Sequence, residues 1–184
     1  MKRRVPIRIT LAGLLCLALC GTGFAQTAQG TVNATLVNLS GIAIAFYSDS
    51  SGVTLGGSGT SSATLNMGNI SAYGSLSAGV TRSNVTQTNF TVSTPFDVYV
   101  MGGVTSTNYS LTAQLASAAP TGFTCKLDTL TLTTAAQTVT TSGTYNTSTQ
   151  HTFNLVVSAA APGSGGPAVG TPQNTTINFV ATAN

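Results

Sequence analysis

Tyr109, Leu111, Ala113 and Leu115 alternate with Ser110, Thr112 and Gln114. A strict period of two is the pattern of a strand with one buried face, and a helix cannot present it. The same period marks Phe123-Cys125-Leu127, Phe153-Leu155-Val157 and the stretch Ile177-Phe179-Ala181-Ala183. No stretch of about ten residues carries the 3.6-residue period of an amphipathic helix. The chain therefore has to build its core from sheets.

Further strands are expected along the chain. Val32–Leu39, Ile42–Tyr47, Ala63–Met67 with Ile70, Gly79–Val85, Phe90–Val100, Leu130–Leu132 and Thr138–Thr141 carry the apolar or alternating pattern. Turn chemistry separates them: Ser-Asp-Ser-Ser-Gly at 48–52, the glycine-rich 55–62 stretch, Gly102-Gly103, and the Gly/Pro-rich loop 161–174. Pro95 interrupts its strand and points to an edge, a bulge or a switch between sheets. The fold class expected is all-β, an immunoglobulin-like β-sandwich of roughly eight to ten short, mainly antiparallel strands. A closed barrel fits the same pattern, but runs apolar on both faces favour the sandwich.

Charge changes meaning along the chain. Four of its six basic residues are Lys2, Arg3, Arg4 and Arg8, ahead of the apolar run Ile9–Cys20. That run falls well short of the ~20 residues a membrane span needs. Gly23 and Ala25 supply the small residues of a cleavage site before Gln26. The expectation is a signal peptide over 1–25, a single β-sandwich domain over 26–184, and export to the periplasm, cell surface or medium. An uncleaved anchor is one alternative. A lipoprotein is another, since Leu17-Ala18-Leu19-Cys20 loosely resembles a lipobox, with Leu19 where a small residue normally stands.

Beyond the leader the charged residues are Arg82 and Lys126 against Asp49, Asp97 and Asp128, a balance of −1 with no Glu. Nucleic acid needs a basic face, and so do acidic lipids; neither is offered. The apolar content is too high for a disordered chain. Cys125 is the one cysteine left, so no internal disulfide is expected in 26–184. Its place in the Phe123-Cys125-Leu127 row makes it a buried small hydrophobe rather than a reactive or bridging thiol.

Catalytic chemistry finds little to work with. His151 is the lone histidine and the three aspartates are scattered, so no metal-ligand spacing emerges. Gly56-Gly57-Ser58-Gly59-Thr60 approaches a nucleophile elbow but ends in Thr and lacks the strand-to-helix context. A triad would need His151 as base with Asp49, Asp97 or Asp128 orienting it. The plainer expectation sets His151 at a strand start, half-exposed beside a polar turn. No phosphate loop follows the glycines. No catalytic, cofactor-binding or metal residue is therefore assigned, and no enzyme activity or cofactor is expected. The sequons at Asn33, Asn84, Asn89 and Asn108 arise readily in so Asn- and Thr-rich a chain. Tyr47, Tyr73, Tyr99, Tyr109 and Tyr145 are candidates for a surface-glycan face, although flat aromatic platforms favour Trp, which is missing.

What remains is association. Sheet edges are ordinarily guarded by Lys, Glu, Pro or bulges, and this composition supplies few guards. Strand addition suits such a chain: main-chain hydrogen bonds give affinity and alternate side chains fill pockets. The Val32-Ala34-Leu36 and Ile177-Phe179-Ala181 ladders both have the required alternation.

Leu-Asn-Met-Gly-Asn-Ile-Ser at 65–71, Phe-Asp-Val-Tyr-Val at 96–100, Asn-Tyr-Ser-Leu-Thr-Ala-Gln-Leu at 108–115 and the closing 174–184 stretch carry a resemblance. Together they resemble the small secreted bacterial β-sandwich proteins of the spore-coat-U and chaperone–usher pilin type, over most of 31–184. The resemblance implies an exported fibre or coat subunit whose partner is another copy or a related subunit. Two features depart from it: the disulfide common in those pilins cannot form, and their terminal aromatic signature is missing. Both weigh against usher-type assembly. The alternative expectation is a monomeric secreted binding or adhesion module for a carbohydrate or protein ligand, with a hydrolase behind both.

Overall fold

Thirteen residues, Asn89–Met101, form the longest strand, with every second side chain from Phe90 to Val100 buried. A computed structural model describes residues 41–102, 106–158 and 173–184. The expected leader at 1–25, the strand over 32–39 and most of the Gly/Pro loop lie outside the described residues. Nine strands are present and no helix is found among the described residues. They are β1 (Ala43–Ser48), β2 (Thr81–Ser83), β3 (Asn89–Met101), β4 (Tyr109–Leu115), β5 (Phe123–Leu127), β6 (Leu130–Thr131), β7 (Gln137–Gly143), β8 (Ser148–Ser158) and β9 (Ile177–Ala183).

The strands make two separate antiparallel sheets. One runs β1-β3-β8-β5-β6, with β2 on β3 beside β1; the other runs β7-β4-β9. The sheets face each other as a β-sandwich, which decides against a closed barrel. Phe179 of β9 meets Phe46 of β1 at 5.1 Å between ring centroids and Phe96 of β3 at 6.2 Å, so the core is shared across the layers. Val92, Val98 and Val100 are fully buried, and Leu111, Ala113, Leu115, Cys125 and Leu127 nearly so. Each of the Val and Leu side chains contributes ~1.5–3 kcal/mol on burial. An exposed ion pair contributes about 0–1 kcal/mol. With five charged side chains among the described residues, apolar burial and backbone ladders have to hold this fold.

Pro95 does not interrupt its strand. β3 runs through it and pairs with β8 without a break from Asn89↔Ser158 to Tyr99↔Ser148, with Pro95 opposite Thr152. The other edge of β3 explains this. β1 pairs as far as Phe96 and β2 begins at Ser93, so Thr94 and Pro95 face a notch between them. The Pro95 carbonyl points into the notch at Gly52, where a Cβ would overlap it. In a strand a residue's N and C=O face the same side, so the proline nitrogen also faces the notch and no ladder bond is lost.

The notch is filled by the long connection between β1 and β2. Val53 N–H donates to Thr94 Oγ1 at 3.0 Å, inside the core. Gly79, at φ +78°, lies so close to Gly52 that a Cβ would overlap its carbonyl. Val53, Leu55, Met67 and Val80 of this connection are buried against the sheets. The strand expected over Ala63–Met67 is replaced by a single bridge, Gly56↔Thr64, and the one over Gly79–Val85 shrinks to β2. Arg82 secures the same region, its Nη1 donating to Ser71 O at 2.8 Å and Gly74 O at 3.0 Å.

Thr94→Val keeps the shape of the side chain but removes the acceptor. We expect it to destabilise the protein by about 1–3 kcal/mol through the unsatisfied Val53 N–H, while Thr94→Ser keeps the acceptor and costs about 1 kcal/mol for its buried methyl. Urea denaturation of the three proteins checks this; equal stability for Thr94→Val would mean that the notch bond contributes nothing.

Candidate functional site

Five strand edges among the described residues define where another strand can dock, of which β2 is three residues long and carries Arg82. On the large sheet, β6 is two residues long. The β1 edge is capped by its own connection: Phe46 N–H donates to Thr60 O at 2.9 Å, Gly59 N–H to Phe46 O at 2.7 Å, and Ser48 N–H to Ser58 Oγ at 3.1 Å. On the small sheet, β7 shifts register against β4 at two places between Tyr109 and Thr112. Such bulges bend an edge and spoil it as a template.

β9 has none of these protections. Its seven residues pair with β4 in unbroken register, Tyr109↔Ala183 to Leu115↔Ile177. It contains no Pro, Lys, Arg, Asp or Glu. Thr176 O accepts from Ala116 N–H at 2.9 Å, and Asn184 N–H donates to Asn108 O at 3.1 Å. Backbone direction alternates, so Asn178, Val180 and Thr182 also turn their peptide groups to β4. The N–H and C=O groups of Ile177, Phe179, Ala181 and Ala183 point away from it. No described residue pairs with that outer edge.

The side chains beside this edge are apolar and incompletely covered. Ile177, Phe179 and Ala181 are half-buried, as are Ile44 and Phe46 of β1 in the facing layer. Val180, on the outer face, is 55% exposed. An added strand would therefore meet peptide groups that no described residue occupies, beside an apolar seam. The sequence ladder at Ile177-Phe179-Ala181 is this strand, whereas the Val32-Ala34-Leu36 ladder lies outside the described residues. Sequence reasoning missed that, among the described residues, the end caps of β1 and the bulge of β7 leave β9 as the open long edge. The signal was present in part, as seven consecutive residues without a charge or a proline.

The residues considered for catalysis are placed differently. His151 is buried in the middle of β8, against Phe96, and not half-exposed at a strand start. Its Nδ1 donates to Asp128 Oδ2 at 2.8 Å. Asp128 opens the two-residue turn between β5 and β6 at φ +53°, a conformation Asp tolerates better than most residues. The rest of the aspartate is also engaged. Oδ1 accepts from Thr152 N–H at 2.8 Å, its own N–H donates to Thr152 O at 2.7 Å, and its carbonyl accepts from Asn154 Nδ2 at 2.8 Å. The pair is thus a clamp between a turn and β8. No serine hydroxyl bonds to the imidazole among the described residues. Asp49 instead accepts from Ser51 and from Gln150 Nε2. Ser58 caps β1. No group of three or more His, Cys, Asp or Glu side chains is placed to hold a metal among the described residues.

The tyrosines divide. Tyr109 and Tyr145 are buried with rings 5.2 Å apart, Tyr73 is exposed at the surface, and Tyr47 and Tyr99 form an edge-on pair 6.0 Å apart on the outer face of the large sheet. Cys125 is buried and free, as its row in the sequence implied. The chain matches no protein-family model and no curated protein.

Two expected outcomes follow from these placements. Asp128→Ala should lower stability by about 1–2 kcal/mol, the low part of the range for charge-assisted bonds because the carboxylate is half-exposed. Asp128→Asn, which keeps an acceptor for Thr152, should cost less; equal losses would remove the carboxylate from the account.

Stability should also be flat between about pH 5 and 8 and fall outside. Burial pushes the Cys125 thiol above its ordinary value, and burial, with Tyr145 nearby, pushes up the Tyr109 phenol against the opposing bond from Thr149. Both then favour the folded state below the unfolded-chain values, and that advantage is lost as alkali ionises them. Bonds from Ser51 and Gln150 hold Asp49 low, so its contribution is present above about pH 4 and lost in acid. Thermal melting across pH reads this, and Cys125→Ala should move the alkaline onset upward.

Proposed function

We propose that the chain is an exported structural surface protein, a pilus-like fibre or coat subunit that assembles by β-strand addition. The observation that carries this reading is β9: a seven-residue, unbroken, uncharged edge with outward peptide groups beside a half-covered apolar seam. Natural sheets rarely leave such an edge open unless another strand occupies it. The leader-like residues 1–25 support export, and the near-neutral balance of the remaining chain favours association over mutual repulsion.

The second reading, a monomeric secreted binding module, draws on the Tyr47–Tyr99 pair. Asp97 stands opposite Tyr47 across the strands, with Gln150 on its other side. Aromatic faces beside hydrogen-bonding side chains suit a surface glycan.

Light scattering on residues 26–184 separates the readings. Oligomers are expected, and Ala181→Pro should disperse them. Its missing N–H lies on the outer side of β9, so the pairing with β4 keeps its bonds. A wild-type protein that stays monomeric at every concentration would sink the subunit reading in favour of the binding module.

A further inference from the structure

We infer that the strand added to β9 is β9 of a second copy, paired antiparallel about a two-fold axis at Val180. The inference rests on the strand-addition reading and specifies its partner and register. The backbone fixes the parity. Only Ile177, Phe179, Ala181 and Ala183 present outward peptide groups, so hydrogen-bonded pairs across the new interface join odd-numbered residues. Among such registers, one overlaps the whole strand: Ile177 with Ala183 of the second copy, and Phe179 with its Ala181.

Side-chain size suits that register. On the inner face each large residue opposes a small one, Ile177 against alanine and Phe179 against alanine. Two bulky rings never meet, and the half-buried Phe179 gains a neighbour. On the outer face Val180 meets Val180, an apolar contact at the centre, and Asn178 meets Thr182 on either side. Val180 and its counterpart form a non-hydrogen-bonded pair, where side chains approach most closely. Their 55% exposure in one copy is the apolar surface such a contact removes from water. No residue of β9 is charged, so two identical strands meet without repulsion. The three-stranded sheet then continues through the axis as a six-stranded one.

This contact is isologous, and it closes on itself. The product is a closed pair.

The test is disulfide trapping in residues 26–184 under mild oxidation, with light scattering on the unsubstituted protein. Val180→Cys places two thiols on Cα atoms about 4.5 Å apart, within disulfide reach, and Asn178→Cys holds them more than about 12 Å apart, so dimer should form at least about tenfold faster with Val180→Cys. Cys125 is 1% exposed and out of reach, and the unsubstituted protein serves as its control. Oligomers in solution with no preference for Val180→Cys would overturn the two-fold register while leaving strand addition standing. A monomer with neither variant cross-linking would overturn both.

Discussion

The β3–β8 ladder is the constraint on which the rest of the sandwich depends. Eleven consecutive pairs lock the two longest strands together in one register. A one-residue slip would turn Phe90, Val92, Phe96, Val98 and Val100 to solvent, so the register is held by the apolar face as much as by the backbone. Everything else hangs on these two strands. β1 and β2 share one edge of β3, β5 pairs with β8, and the small sheet packs its Leu111, Leu115 and Phe179 onto their inner face. In a chain with so few charges no ionic network can substitute for that ladder.

The same dependence explains which parts were legible in the sequence. Tyr109–Leu115 was plain because β4 is a central strand and its alternation reports both burial and pairing. Over Ala63–Met67 the alternation reported burial alone. Met67 is buried and Leu65 half-buried, but the backbone there pairs through one bridge. Period two tells which side chains go inward, and says nothing about whether a hydrogen-bonding partner is within reach. Pro95 was read as interrupting its strand for a related reason. A missing N–H is harmless where the neighbouring strands stop short, and where they stop is a tertiary fact set 40 residues away at Gly52 and Val53.

The candidate edge was half legible. The uncharged run 177–183 was visible, as was its alternation, but its exposure depends on what caps β1 and bends β7. His151 shows the opposite failure. The polar residues Ser148, Thr149 and Gln150 looked like a turn leading into a strand, yet they already belong to β8 and are simply exposed there. Its partner Asp128 is 23 residues away, and only the β5–β6 turn brings the two together.

The place of β4 between β7 and β9 has a kinetic consequence. β4 and β7 are close in sequence, whereas β9 joins β4 across more than 60 residues. Such distant pairings form late, since the loop must close before the contact contributes. During synthesis the Tyr109–Leu115 strand has one bare edge, rich in buried-type side chains, until residues 177–183 arrive. A chain emerging slowly thus carries its most adhesive strand exposed for longest. Earlier docking of residues 177–183 shortens that exposure.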